Sequence, residues 1–201
     1  NENLITYKRS KLPTGICLIF VTEDGERTMA SNLGANLELR PEILNLEKMS
    51  NSDFLIFDNF SLFSESGLNT VIAALREKQE SKVCFGISDK TLIDENLKNL
   101  NWLSQNEVDL IYGNNNELSE LRKKVAIKSK NILESFGKKG AGFNGSLVPA
   151  PKIEVVNTNG AGDALIGSFL AFKNRFDDKT ALFKAVGYAS RVCRVNGPRL
   201  I

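Results

Sequence analysis

Short apolar runs alternate with longer amphipathic stretches over much of this chain. The apolar runs are residues 16–21, 54–57, 82–87 and 109–112. Two of the intervening stretches, residues 67–78 and 91–103, carry apolar residues at the three- and four-residue spacing of a helix. Runs that are apolar on both faces are typical of parallel strands covered by helices. The alternation therefore predicts an α/β fold whose parallel strands are joined by helices.

The later sequence adds one more strand candidate, residues 131–136, and further helices. The helical stretches are residues 117–125, 161–173 and 179–193. Gly137 follows the strand candidate directly, at the edge where open α/β sheets bind ligands. We therefore expect the Gly137 loop to lie beside the loop that contains Gly160.

Composition limits the class of protein. With 201 residues, of which 42% are hydrophobic, the chain can bury a real core, and we expect a single α/β domain over residues 1–201. The net charge of +2 gives no broad basic field, so nucleic acid is not an expected partner. No apolar stretch nears the roughly 18 residues that cross a bilayer, and the amino terminus lacks a secretory pattern. These features predict a cytoplasmic protein without a membrane partner.

The chain contains no histidine, which excludes Ser-His-Asp and Cys-His catalysis and histidine-ligated metals. Any chemistry is left to Asp, Glu, Lys, Asn and backbone groups. Cys17, Cys84 and Cys193 are odd in number and lie far apart in apolar segments, which predicts reduced, buried thiols. The first residue is not methionine, and we interpret the chain as a portion of something longer.

The strongest candidate for a ligand site is a glycine-containing segment. Val155 and Val156 predict an extended run that passes through Gly160 and Gly162 into a helix whose first turn carries Asp163. The first N–H groups of a helix lack partners and the helix dipole adds positive charge, so an anion is stabilised there. A carboxylate beside that anion can orient a hydroxyl group and accept its proton, as phosphoryl transfer requires. Taken alone, these residues more often form a tight strand-to-helix connection, so the context decides.

Two common nucleotide-binding motifs are absent. A Rossmann fingerprint needs a third glycine where Leu165 stands, and Asp177 and Asp178 follow the helix in a polar turn instead of ending a strand. A Walker A motif needs Gly-Lys-Ser or Gly-Lys-Thr, and neither occurs. Nucleotide binding by either of these routes is not expected.

Asn114 and Glu117 lie three residues apart, just after the strand predicted at 109–112. An amide and a carboxylate that point from one helical turn into one pocket could hold a hydrated Mg²⁺. The same pair also fits a capping box, in which each residue bonds the backbone of the other. These two residues alone favour the helix cap.

Three segments in a specific order carry a family resemblance. Residues 114–117, 135–140 and 157–163 closely resemble the signature series of the ribokinase/PfkB family of carbohydrate and nucleoside kinases. Three upstream segments resemble the adenosine kinase-like branch of that family, namely residues 13–17, 24–29 and 33–36. The resemblance implies a three-layer αβα ribokinase-like sheet, with the amino-terminal strands and the lid of the family missing from this chain.

The resemblance also implies roles for the glycine segment. Asp163 would be the base that takes the proton of the acceptor hydroxyl group. The backbone N–H groups of Gly160, Ala161 and Gly162 would form an anion hole, which stabilises charge that develops in the transition state.

Further roles concern ATP and cations. The resemblance associates Asn114 and Glu117 with Mg²⁺ and phosphate, and residues 187–198 with the adenine pocket and a loop for a monovalent cation such as K⁺. The implied cofactor-binding residues are Ser135, Gly137, Gly140, Asn157 and Asn196.

Two departures from the family pattern bear on function. Asn157 stands where the family usually has aspartate, which implies weaker cation binding. The portion that supplies the Gly-Gly motif and most sugar-binding side chains is not recognisable, so the acceptor is not identified. We predict ATP-dependent phosphoryl transfer to a hydroxymethyl group of a sugar or nucleoside, with a homodimer as the family's common assembly. The alternatives are a non-catalytic nucleotide-binding module, or degenerate kinase fragment, and a structural α/β domain without a ligand.

Overall fold

The computed structural model describes residues 10–21, 27–105, 108–129, 131–198 and 200. The chain divides into two compact units. The first comprises residues 1–52 and 61–81, and the second comprises residues 53–60 and 82–201. All candidate site residues belong to the second unit. The single domain expected over residues 1–201 stays a prediction.

The described part of the first unit contains a two-stranded antiparallel sheet and two α-helices. The elements are β1 (Ile16–Val21), β2 (Arg27–Asn32), α1 (Leu46–Ser50) and α2 (Glu65–Glu77). β1 pairs antiparallel with β2, so the buried parallel strand predicted over residues 16–21 is wrong. Leu18 and Ile19 point to opposite faces and are 55% and 43% exposed. Cys17 is also exposed, so its predicted burial is wrong as well.

In this unit, a close backbone contact joins residues 13–17 and 33–36, two of the segments that resemble the adenosine kinase-like branch. Gly34 has φ +51°, and a Cβ there would lie 2.3 Å from the carbonyl oxygen of Pro13. The N–H of Ala35 donates to the same oxygen at 2.8 Å. Position 34 therefore requires glycine, because the two backbones approach each other too closely for a side chain.

The second unit is built on a mixed sheet of six strands that lie in chain order. They are β3 (Phe54–Asp58), β4 (Lys82–Ile87), β5 (Leu110–Asn114), β6 (Asn131–Ser135), β7 (Ala141–Phe143) and β8 (Ser146–Val148). β3 to β6 are parallel, as the sequence predicted, and β7 and β8 add an antiparallel hairpin. The hairpin was not predicted because strands of 3 residues are too short to show a period.

The described part of the second unit also contains five α-helices. They are α3 (Leu92–Glu95), α4 (Leu97–Gln105), α5 (Asn115–Lys124), α6 (Ala161–Lys173) and α7 (Asp178–Val192). The single helix predicted over residues 91–103 is divided at Asn96, whose buried side chain donates to the carbonyl oxygen of Asn59 at 2.9 Å. Among the described residues, no helix has both the length and the apolar character to cross a membrane.

Helices cover both faces of this sheet. Cys84 and Leu110 pack into the main core with α6 and α7. Phe85 and Ile111, the next residue of each strand, lie beside α4 and α5 on the opposite face. Successive side chains of a strand point to opposite faces, so the two sets define two separate packing layers. The predicted three-layer αβα arrangement is confirmed.

Candidate active site

The carboxyl ends of the parallel strands lie in register at one edge of the sheet. Asn114, the last residue of β5, pairs with Ser135, the last residue of β6. Asp58 ends β3 opposite Gly86 of β4. Polar residues that are distant in sequence are thus gathered where α/β sheets bind ligands.

Two glycines with positive φ shape the loop after β6. Gly137 has φ +57° and Gly140 has φ +108°. A Cβ at Gly140 would lie 1.9 Å from the carbonyl oxygen of Val148, so this position accepts only glycine. A Cβ at Gly137 would meet no described atom within 4 Å. A side chain is therefore excluded at Gly140, whereas the space next to Gly137 is open.

α6 begins after another glycine with positive φ. Gly160 has φ +75°, and a Cβ there would lie 2.1 Å from the carbonyl oxygen of Pro198. The carboxyl-terminal segment thus packs directly against the start of α6. The N–H of Ala161 donates to the carbonyl oxygen of Thr158 at 3.3 Å. The N–H group of Ala161 therefore already has an acceptor in this structure, whereas the sequence analysis placed it in the anion hole.

The next two residues of α6 offer the available donors. Within the described ranges, no hydrogen-bond acceptor accompanies the N–H groups of Gly162 and Asp163. A Cβ at Gly162 would meet no described atom within 4 Å. An anion could approach this backbone closely and would gain from the helix dipole. Gly162 belongs to the predicted set of donors, and Asp163 extends that set by one residue.

The segment before Gly160 forms a loop and not a strand, with a bend at Val156. Both valines are more than half exposed, at 55% and 59%. The N–H groups of Val156 and Asn157 donate to the carbonyl oxygen of Cys193 at 2.9 and 3.2 Å. Two adjacent valines favour a strand, but here their backbone is held by the end of a helix.

Asn157 organises the turn that leads to α6. Its Oδ1 accepts a hydrogen bond from the N–H of Asn159 at 2.8 Å. An aspartate oxygen could accept the same bond. Asparagine at this position therefore preserves the turn and leaves out one negative charge.

The two glycine loops, α6 and α7 surround a cavity of about 560 Å³. The sequence-predicted residues that line it are Ser135, Gly137, Gly140, Ala161 and Gly162. The expected proximity of the Gly137 and Gly160 loops is thus found. The cavity has the size of a small-molecule or cofactor pocket.

The cavity wall combines apolar side chains with two cations. Ile153, Leu165 and Val186 contribute apolar surface, and Lys138 and Lys152 contribute charge. Such a wall suits a ligand with a flat ring and an anionic tail. The sequence analysis missed the residues around position 152 because a loop without periodicity gives no signal for which side chains face a cavity.

Residues 187–198 contribute to the cavity through the carboxyl end of α7. Ala189, Ser190 and Cys193 line the cavity, and burial raises the pKa of the Cys193 thiol. Asn196 is exposed and is not among the described lining residues. The structure therefore does not bring Asn196 to the cavity.

Asn114 and Glu117 form the capping box that the residues alone favoured. Asn114 Oδ1 accepts from the N–H of Glu117 at 3.0 Å. The Glu117 carboxylate accepts from the Asn114 backbone N–H at 2.7 Å and from its Nδ2 at 2.6 Å. Burial raises the pKa of the Glu117 carboxyl against the effect of the Asn114 N–H, and the charge of Asp89 raises it further.

A cation near Glu117 would offset the repulsion from Asp89, so the donor chemistry fits a hydrated Mg²⁺. In the described part of the chain, no group of three acidic or cysteine residues could hold a metal ion by itself. An ion at this pair would therefore need oxygen ligands from water or phosphate, as Mg²⁺ commonly has.

A buried amide that the sequence analysis missed stabilises the carboxyl end of the sheet through hydrogen bonds. Asn59 is 0% exposed, and its Nδ2 donates to the carbonyl oxygen of Asp89 at 2.6 Å. Its Oδ1 accepts from the N–H of Ser88 at 3.1 Å, and Ser88 Oγ donates to Asp58 Oδ2 at 2.9 Å. The available signal was an asparagine two residues after the apolar run 54–57, next to Asp58.

Asp163 is exposed in the first turn of α6 and lies near Tyr112 of β5. Burial raises the pKa of the Tyr112 phenol, and the charges of Asp58 and Asp163 raise it further. Asp163 does not line the cavity, whereas its neighbour Gly162 does. Asp163 is therefore adjacent in sequence to a residue that lines the cavity.

This fold and site agree with one protein family. Residues 3–200 match the pfkB family carbohydrate kinases, and the chain belongs to that family. The ribokinase of Dictyostelium discoideum is 26% identical over 223 residues, covering 94% of this chain and 68% of the relative. The predicted family is confirmed.

Solved structures share the fold. The adenosine kinase from Sinorhizobium meliloti superimposes with a TM-score of 0.84 at 24% identity, covering 94% of this chain and 63% of that one. A putative Ribokinase II from E. coli, solved in complex with ATP and Mg²⁺, gives 0.77 at 20% identity, covering 90% and 66%. The chain thus spans about two thirds of the length of these proteins.

Proposed function

We propose that this chain provides the nucleotide site and the catalytic carboxylate of an ATP-dependent kinase that phosphorylates a hydroxymethyl group of a sugar or nucleoside. One observation carries the proposal. The cavity of about 560 Å³ reaches the open backbone of Gly162, and Asp163 is the next residue. Membership of the pfkB family supports a sugar or nucleoside kinase at the level of the family.

The cavity suits ATP in two ways. The apolar side chains of Val186 and Leu165 can enclose a purine ring, since ligand pockets are mostly apolar with a few polar groups. The N–H groups at the start of α6 and the nearby Lys138 suit the phosphates. The E. coli structural neighbour, which was solved with ATP and Mg²⁺, supports this assignment.

In the proposed reaction Asp163 accepts the proton of the acceptor hydroxyl group while the hydroxyl oxygen forms a bond to the γ-phosphorus of ATP. The bond from that phosphorus to the β,γ-bridging oxygen breaks, and ADP leaves. The N–H groups of Gly162 and Asp163 stabilise the negative charge on the transferring phosphoryl group. Asn114 and Glu117 are the residues that would hold Mg²⁺. When bound, this ion neutralises charge on the phosphate oxygens. The K⁺ suggested by the family resemblance would depend on the loop at Asn157.

The test is ADP release from Mg·ATP with ribose, fructose and adenosine as acceptors. Asp163→Asn should lower kcat by roughly 10²- to 10⁴-fold, because it removes the general base. Affinity for Mg·ATP, measured by calorimetry, should change little because Asp163 lies outside the cavity.

Asp178→Asn is the matched control, since it removes an exposed carboxylate from the first turn of α7. It should leave turnover unchanged. Equal turnover of Asp163→Asn and the unmodified protein would remove Asp163 from the mechanism. Mg·ATP binding without ADP release for any acceptor would favour the non-catalytic nucleotide-binding module, the alternative that the asparagine at position 157 supports.

A further inference from the structure

Tyr112 lies at the carboxyl edge of the sheet, and the proposed phosphoryl transfer does not use it. Strand pairing places Asp58, Gly86 and Tyr112 in one row across β3, β4 and β5. Side chains in such a row point to the same face of a sheet. For this row it is the face covered by α6 and α7, because Tyr112 packs against their core.

Gly86 makes room for the ring of Tyr112. A Cβ at Gly86 would lie 2.5 Å from Cζ and 2.6 Å from Oη of the tyrosine. The ring therefore leans across β4, with its hydroxyl end above the glycine. Asp58 is the next residue of the row, on the far side of Gly86. The lean of the ring directs the hydroxyl group toward that carboxylate.

A second carboxylate, Asp163, lies in the first turn of α6, one of the two helices that cover this face of the sheet. Tyr112 packs against the core that contains Leu165 and Ile166, two and three residues beyond Asp163 in the same helix. The phenol is a hydrogen-bond donor, and its hydroxyl end lies on the face of the sheet to which Asp58 belongs and which α6 covers.

The groups around the Tyr112 hydroxyl group determine which kind of ligand could bind there. A phosphate oxygen bound at the phenol would be repelled by the carboxylate of Asp58. A neutral compound with several hydroxyl groups would instead accept a bond from the phenol and donate bonds to the carboxylates. Tyr112 is also not among the residues that line the nucleotide cavity. Its position suits the acceptor and not ATP.

We infer that the Tyr112 hydroxyl group donates a hydrogen bond to an oxygen of the acceptor, next to the hydroxyl group whose proton Asp163 removes. This inference rests on the proposed kinase function. It makes Tyr112 a residue that determines specificity, because the acceptor must carry a second oxygen close to its reacting hydroxymethyl group. Sugars and nucleosides meet this requirement, whereas simple alcohols do not.

Tyr112→Phe tests the inference, since it keeps the ring above Gly86 and removes one hydroxyl group. For the acceptor that supports turnover among ribose, fructose and adenosine, kcat/KM should fall about 3- to 10-fold, the effect of one neutral hydrogen bond. KM for ATP should stay unchanged. Ser104→Ala removes a hydroxyl group from α4, on the opposite face of the sheet, and should change neither constant. An unchanged acceptor kcat/KM in Tyr112→Phe would overturn the inference.

A binding measurement separates this inference from the proposed function. The Asp163→Asn protein is labelled with 3-fluorotyrosine, mixed with Mg²⁺ and a non-hydrolysable ATP analogue, and followed by ¹⁹F NMR. The Tyr112 signal is identified by its loss in Tyr112→Phe. It should move when ribose, fructose or adenosine is added. Absence of turnover in the unmodified protein refutes the kinase, whereas a signal that none of the three compounds moves refutes the role of Tyr112.

Discussion

Gly160 and Gly162 are two residues apart, and the structure gives them opposite requirements. At Gly160, φ is +75° and a Cβ would lie 2.1 Å from a carbonyl oxygen, so Gly160→Ala should destabilise the fold by about 1–3 kcal/mol or more. At Gly162, a Cβ would meet no described atom within 4 Å and the backbone is helical. Gly162→Ala should therefore stabilise the fold by about 0.4–1 kcal/mol.

Ligand binding should respond in the opposite sense at Gly162. Its added methyl group would occupy the place where a phosphate approaches the free N–H groups of α6. Loss of one hydrogen bond to a charged group costs about 1.5–3 kcal/mol, which weakens Mg·ATP binding roughly 10- to 150-fold. The variant should thus be more stable and bind ATP less well.

The assays are urea unfolding without ligand and calorimetric titration with Mg·ATP. Gly167→Ala is the matched control, because Gly167 is also exposed in α6 with no described atom near its Cβ position, but does not line the cavity. It should be stabilised to a similar degree and bind ATP normally. If Gly162→Ala bound Mg·ATP as tightly as Gly167→Ala, the anion site at the start of α6 would be refuted.

Two further predictions concern single side chains. Asn157→Asp should keep the turn to Asn159, so the urea midpoint of unfolding should not change. K⁺ should strengthen the binding of Mg·ATP to this variant more than its binding to the unmodified protein. An equal response of the two proteins to KCl would count against a cation at this loop. Burial, helped by the charge of Asp109, raises the pKa of Cys84 from 9.0 to about 12. The folded state therefore keeps a proton that the unfolded state loses, so the stability that Cys84 contributes is complete below pH 9 and is lost between pH 9 and about 12. Cys84→Ala should flatten this part of the stability curve in urea unfolding, and an identical slope would contradict the assignment.

The sequence predicted the parallel strands well because burial on both faces leaves a clear compositional pattern. The same pattern misled at β1, where an equally apolar run forms an exposed antiparallel strand. Composition records that a run is apolar, but it does not record what covers it. The helix broken at Asn96 shows a second limit, since that break depends on a contact with Asn59, 37 residues away.

For the candidate site, the glycine loops were predictable because anion binding constrains a short local sequence. Tyr112 was not, since its position depends on a glycine in the neighbouring strand, and Gly86 acquires meaning only through strand register. Nothing in the sequence indicated that the N–H group of Ala161 has an acceptor within its own turn. A motif shows where a helix starts, whereas the bond from Ala161 to Thr158 decides which N–H groups stay open.

The glycines of the two loops divide into those that the fold needs and those that a ligand needs. Gly140 and Gly160 each have positive φ and would clash with a backbone carbonyl if they carried a Cβ, so they fix the cavity wall without any ligand. Gly162 borders open space instead. The cavity should therefore form whether or not the residue at position 157 carries a charge. In the proposed function, binding depends on the shape of these loops, whereas turnover depends on Asp163 and bound cations, so loss of one need not entail loss of the other.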